Sequence, residues 1–174
     1  YSAALPQILK KCGVDKFFTT KLNWNETDSM PHDNFIWEGI DKSCVFAMFS
    51  HQYNARLEPE VIALHSNKFR ERRLGTNPMI TFGYADGGGG ATYQMLENFD
   101  RLKYGIPGMP KTEMKTVTEI FDKTEEKFNE KTAALKDVPK WTGEMYLEMH
   151  RGTYTSIAKN KKNNRKSEIL MENA

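Results

Sequence analysis

Asp86 stands at the head of four consecutive glycines, Gly87 to Gly90, directly behind the apolar stretch Met79-Ile-Thr-Phe-Gly-Tyr84. Such a run removes every side chain beside the carboxylate and lets backbone approach another group closely. It lacks the Lys-Ser/Thr of a P-loop and the spaced glycines of a dinucleotide fingerprint, which points away from phosphate binding. A plain flexible turn is the competing reading of the glycines. At the end of a predicted strand beside Tyr84, Asp86 has two readings. As a partly desolvated carboxyl it suits general acid/base work; as an Asx turn or helix cap it is structural. Trp24, between Asn23 and Asn25 in Lys21-Leu-Asn-Trp-Asn-Glu-Thr-Asp28, offers an apolar face among hydrogen-bonding groups, the make-up of a sugar-binding wall, though taken alone it reads first as an ordinary half-buried tryptophan. His32, His51, His65 and His150 show no metal-ligand spacing. His150, beside Arg151-Gly-Thr-Tyr154, either faces a pocket or stays at the surface.

The elements that must carry these groups follow from periodicity. Leu5, Ile8, Leu9 and Cys12 predict an amphipathic helix over 1–12, closed by Gly13. Residues 17–22, Asn34–Ile40, Cys44–Phe49 and Met79–Tyr84 read as strands. Asp41-Lys-Ser43 is short enough for a hairpin or tight bend. Pro59 opens a helix reaching to about Arg73. Met95, Leu96, Phe99 and Leu102 mark another helix. The Gly- and Pro-rich residues 105–114 read as a loop. Thr116-Val-Thr-Glu119 has capping-box spacing ahead of a charged helix. Alternation over Glu144–His150 predicts a strand with Met145, Leu147 and Met149 on its apolar face. From about Ser156 the chain is basic and helical. Strands alternating with helices predict an α/β architecture with a largely parallel sheet, whose ligands sit beyond the strand C-termini. The loops after Leu22, Tyr84 and His150 become the candidate site by position.

The composition bounds the rest. There are 174 residues, 39% hydrophobic, with 25 Lys+Arg against 23 Asp+Glu. That suits one domain, or one domain and part of another. The balanced charge argues against nucleic acid, and the basic run Lys159–Lys166 reads as a solvated helix face. Two cysteines, Cys12 and Cys44, make no disulfide framework and read as buried thiols in a reducing compartment. No apolar run is long enough to span a membrane. The start, Tyr1-Ser-Ala-Ala-Leu-Pro, reads as the interior of a longer protein.

Taken together, the loops resemble family 38 glycoside hydrolases, the class II α-mannosidases, in their bacterial and cytosolic branch. The matching stretches are Phe18-Thr-Thr-Lys-Leu-Asn-Trp-Asn-Glu-Thr27, Phe35-Ile-Trp-Glu-Gly-Ile-Asp41, Phe82-Gly-Tyr-Ala-Asp-Gly-Gly-Gly-Gly90, Trp141-Thr-Gly-Glu-Met-Tyr-Leu-Glu-Met-His-Arg-Gly-Thr-Tyr-Thr-Ser156 and Asn160-Lys-Lys-Asn-Asn-Arg-Lys-Ser-Glu168. The resemblance implies a retaining, zinc-dependent exo-α-mannosidase acting on mannose-containing glycans in the cytoplasm. It implies Asp86 as proton donor and base, and Trp24 and His150 against the sugar. Tyr84, Arg151 and Tyr154 are further pocket candidates. It places residues 1–152 in the C-terminal part of a β/α catalytic domain and 153–174 at the start of a helical, three-helix-bundle-like middle domain. The sequence departs from the family in lacking the nucleophilic Asp and all protein ligands of the zinc, and in carrying Ala85 and Ala91 where Gly and Pro are usual. The partners expected are therefore the glycan and the rest of the same polypeptide, with no nucleic acid or membrane. Without the nucleophile and the metal ligands the fragment is expected to be inactive, and sheet edges left exposed are expected to make it form homo-oligomers. A non-catalytic carbohydrate-binding or interaction module is the alternative.

Overall fold

The computed structural model describes residues 1–84, 86, 89–150 and 157–173. Helix α1 (Leu5–Lys11) leads into β1 (Lys16–Thr19) and a 3-10 turn (Lys21–Asn23). Strands β2 (Asn34–Glu38) and β3 (Cys44–Phe49) follow, then α2 (Pro59–Lys68), a second 3-10 turn (Glu71–Leu74), α3 (Tyr93–Leu102), α4 (Val117–Leu135), β4 (Lys140–Thr142), a third 3-10 turn (Glu148–His150) and α5 (Ala158–Glu172).

The strands lie in the order β1-β3-β2-β4. β1 runs parallel to β3 and β4 parallel to β2, while β2 and β3 form the expected hairpin. The sheet is therefore mixed rather than largely parallel. Asp41 makes the bend by accepting from the Ser43 N–H at 3.0 Å, and Lys42 takes a left-handed φ of 71°.

Period-two alternation divides the side chains between two faces. Phe17, Phe35, Trp37, Val45, Ala47 and Phe49 point to one cluster, where Leu5 and Leu9 of α1 join Leu22, Met30 and Met145. Phe18, Ile36, Phe46 and Met48 point to the other, where Leu74, Met79, Phe121 and Phe128 cover them. The result is a helix–sheet–helix sandwich with α1 on one side and α4 on the other. Where the chain leading into α1 passes the residue after β2 the backbones nearly touch: a Cβ on Gly39 would lie 2.9 Å from the Ala3 carbonyl. Helix α4 starts at its capping box, with Thr116 Oγ1 accepting from Glu119 N and Glu119 Oε2 accepting from Thr116 N.

Four predicted elements differ. The strand expected over 17–22 ends at Thr19, and Lys21–Asn23 forms a 3-10 turn instead. Among the described residues, 79–84 pair through a single bridge, Ala55 to Phe82; Met79 packs under the sheet while Ile80 and Phe82 turn to a third cluster around Leu57, Ile62 and Leu102. Helix α2 stops at Lys68, and the Arg70 N–H is captured by Asp33 Oδ2 at 2.8 Å. Residues 144–150 make no strand; their backbone is engaged by other partners, described below. Cys12 and Cys44 are both free and exposed rather than buried. No helix among the described residues is long and apolar enough to cross a membrane.

This packing gives an ordered set of stabilities. Phe128 is fully buried against Phe46, with ring centroids 5.1 Å apart, so Phe128→Ala is expected to cost about 3–5 kcal/mol. Thr116→Ala removes one cap and is expected to cost about 1 kcal/mol. Urea denaturation of the two variants checks both magnitudes and their order.

Candidate active site

One end of the sheet gathers the candidate residues. The C-termini of β1 and β3 lie together there, with Ser50 N donating to Thr19 O at 3.0 Å. The N-terminus of antiparallel β2 arrives at the same end, where Phe49 N donates to Asp33 O at 2.6 Å. The chain leaving β1 carries Lys21 and Trp24, and the chain leaving β3 carries His51 and Tyr53. The bridge from Ala55 to Phe82 then brings the glycine-rich segment alongside. Gly83 N donates to Ala55 O and Tyr84 N to Gly90 O, both at 3.1 Å, which folds the run back on itself. Gly89 has to be glycine, since a Cβ there would meet Tyr84 Cβ at 2.4 Å.

Asp86 thereby comes beside Tyr53. The Tyr53 hydroxyl donates to Asp86 Oδ2 at 2.8 Å, and this bond to the carboxylate holds the phenol pKa above its usual value. Asp86 is itself in the left-handed region, at φ 62°, a conformation uncommon outside glycine and best tolerated by Asn and Asp. Its carboxyl is exposed rather than partly desolvated. Lys21 Nζ lies 4.1 Å from the ring centroid of Tyr53 and 4.1 Å from that of Trp24. Its ammonium joins the two rings by cation–π contacts. Trp24 in turn meets His150 edge to face, with centroids 4.9 Å apart. Asp86, Tyr53, Lys21, Trp24 and His150 thus form a continuous rim. Tyr84 is exposed, with the Arg56 guanidinium 5.8 Å from its ring centroid. Arg151 and Tyr154 lie outside the described residues. A cavity of about 580 Å³ lined by Leu57, Phe82, Phe99 and Lys127 is separate: neither Trp24, Tyr53, Asp86 nor His150 is among its walls.

Behind the rim is a buried polar cluster that the sequence did not single out. The fully buried Asp33 meets Arg70 Nη1 and His51 Nε2, each at 3.1 Å from Oδ1. Glu71 accepts from the backbone N–H groups of Asp33 and Asn34 at 2.7 and 3.1 Å, and His32 Nδ1 lies 3.1 Å from its other oxygen. His65 Nε2 is 3.2 Å from Gln52 Oε1. Burial is the main cause that lowers the His65 pKa, followed by His51 and Lys68, with Asp33 opposing. Charged residues dispersed over positions 32–71 leave no spacing signature; only their contacts in the fold reveal the cluster. Tyr53 and Lys21 escaped notice for the same reason.

Among the described residues, no group of three or more His, Cys, Asp or Glu is arranged to hold a metal ion. The zinc implied by the resemblance therefore finds no donor set in them, and the chemistry below uses none.

The sequence profile of the glycosyl hydrolases family 38 N-terminal domain matches residues 1–144. The chain belongs to glycosyl hydrolase family 38. It is 39% identical over 171 residues to "Alpha-mannosidase G" of Dictyostelium discoideum, covering 97% of this chain and 15% of that protein. It is 37% identical over 175 residues to human "Alpha-mannosidase 2C1", covering 98% of this chain and 16% of that protein. The chain thus spans only 15–16% of the length of these relatives. A solved α-mannosidase from Enterococcus faecalis V583 shares the fold, with a TM-score of 0.55 at 13% identity over 83% of this chain and 17% of that one.

The lowered His65 pKa has a consequence for this family 38 chain. The neutral ring is favoured in the folded state, while the unfolded chain takes up its proton near the usual 6.5. Stability is therefore fully present above that value and falls as the pH drops below it, until the folded-state pKa is reached. His65→Asn should flatten this loss. Urea midpoints at about pH 7.5 and 5.5 test it: an unchanged difference between the two pH values in the variant contradicts the assignment.

Proposed function

We propose that this chain contributes the acid/base carboxyl and one sugar-binding wall to the active site of a retaining exo-α-mannosidase acting on terminal mannose of glycans. The observation that carries the reading is the rim from Asp86 through Tyr53, Lys21 and Trp24 to His150, on a chain whose family relatives are named α-mannosidases. An apolar ring face beside fixed polar groups suits a pyranose. The carboxyl at the far end of the rim is where a leaving oxygen would need its proton.

In the first step, a carboxylate supplied from outside this chain bonds to the anomeric carbon as the glycosidic C–O bond breaks. The Asp86 acid gives its proton to the departing oxygen. In the second step Asp86, now a carboxylate, takes a proton from water. The water oxygen bonds to the anomeric carbon and the enzyme ester breaks. Net retention follows from two inversions, with the two carboxyls about 5 Å apart. The Tyr53 hydroxyl fixes the direction of the Asp86 carboxyl throughout. Trp24 and His150 bind and orient the sugar. Tyr84, Arg151 and Tyr154 are assigned to the same pocket, 153–174 to the start of the following helical domain, and the zinc to residues beyond the chain. The isolated chain, without a nucleophile, is inactive in this reading.

The test is Asp86→Asn in the full-length protein, assayed on a methyl or other alkyl α-mannoside. Turnover should fall by about a hundredfold to ten-thousandfold. A value near wild type would overturn the assignment. Mannose binding by the isolated chain without any metal would instead favour a carbohydrate-binding module.

A further inference from the structure

Trp24 and His150 come from segments more than a hundred residues apart, and no strand pairing joins those segments. Side chains do most of the joining instead. Asn25 uses both ends of its amide: Nδ2 donates to Tyr146 O at 3.0 Å, and Oδ1 accepts from Glu148 N at 2.7 Å. Met149 N donates to Trp24 O at 3.3 Å. The Glu148 carboxylate then gathers three consecutive backbone N–H groups. Oε2 accepts from Glu26 at 2.7 Å and from Thr27 at 3.1 Å, and Oε1 accepts from Asp28 at 3.0 Å. Successive N–H groups turned to one side form a nest for an anion, and here a side chain of the same molecule fills it.

Among the described residues, few buried side chains anchor the loop itself. Glu26, Thr27, Asp28 and Ser29 are exposed, and the next buried side chain is Met30. Leu22 on the near side and Met30 on the far side are anchored in the core, and the indole lies in the span between them. The side chains of Glu26 and Asp28 are themselves acidic, so a third carboxylate is tolerated there because backbone donors receive it. Those donors also hold the Glu148 pKa below the usual carboxylate range.

We infer that Glu148 is a positioning residue of the sugar site: by occupying the backbone nest of residues 26–28 it holds the loop so that Trp24 meets His150 as one wall. This rests on the reading of Trp24 and His150 as the wall against the terminal sugar. Glu148 itself touches no reacting atom. Its effect is therefore on how well the sugar is held, with little on the chemical step once the sugar is bound.

The experiment uses the full-length protein and a nitrophenyl α-mannoside, with the single variants Glu148→Ala, Glu148→Gln and Trp24→Ala and the double variant E148A/W24A. Glu148→Ala should raise KM by about tenfold and change kcat by less than about threefold. Glu148→Gln, which keeps one acceptor oxygen in the same shape, should fall between it and wild type. Because Glu148 acts through the indole, the double variant should be scarcely worse than Trp24→Ala alone. Additive effects, or a KM for Glu148→Ala within about twofold of wild type, would overturn the inference. A silent Trp24→Ala would instead overturn the wall reading, and the inference with it. Hydrogen exchange separates the two without any substrate. In Glu148→Gln the amides of Glu26, Thr27 and Asp28 should exchange at least about tenfold faster than in wild type. Unchanged exchange would overturn the inference even if the wall stands.

Discussion

A carboxylate cut off from water must be answered by protein donors, and Asp33 is the place where this requirement shapes the site end of the sheet. It sits just ahead of β2 with no solvent contact. One oxygen takes the guanidinium of Arg70 and the ring nitrogen of His51, and the other takes the Arg70 backbone N–H. Glu71, next along, accepts the backbone N–H groups of Asp33 and Asn34. Two buried acids thus tie the start of β2 to the chain that follows α2 and to the chain leaving β3. Removing one partner would strand a buried charge, a loss of about 3–5 kcal/mol in such networks. This cluster is why His51 cannot drift, and Tyr53 lies two residues on.

From that fixed point the rim is built outward. Asn23 Nδ2 donates to the His51 carbonyl at 3.1 Å, so the chain after β1 is registered against the chain after β3. Lys21 fills the space between the Trp24 and Tyr53 rings, which keeps two aromatics apart and leaves one face of the rim cationic. The segment from Ala55 to Gly83 closes on itself through the bridge at Phe82, and Asp86 is delivered to the Tyr53 hydroxyl. The site depends on three loops at one sheet end. Each is held by polar contacts rather than by regular pairing, which is usual where loops on a rigid scaffold carry function.

What the sequence reveals follows from whether the signal is local. The hairpin Asn34–Phe49 and helix α4 were legible because alternation, turn residues and a capping box all lie within a few positions. The motif stretches were legible as a family resemblance, and the family is borne out by the profile match. The alternating 144–150 misleads, because alternation describes side chains while strand formation needs a neighbouring backbone. There the backbone meets Asn25 and Trp24 O instead. The three-residue β4 is too short to show a period. Tyr53, Lys21 and the Asp33 cluster depend on contacts between distant positions, which one sequence does not display. Asp86 was singled out by its glycines, yet its partner Tyr53 was not.

The central claim is that the Asp86 carboxyl protonates the leaving oxygen. The most direct measurement is the dependence of kcat/KM on leaving-group acidity across a series of aryl α-mannosides, for the full-length protein and its Asp86→Asn variant. If Asp86 supplies the proton, the wild type responds weakly to leaving-group pKa and the variant steeply. The two should converge at the most acidic phenols, which depart without help. Parallel lines, with the variant displaced equally for good and poor leaving groups, would contradict the account.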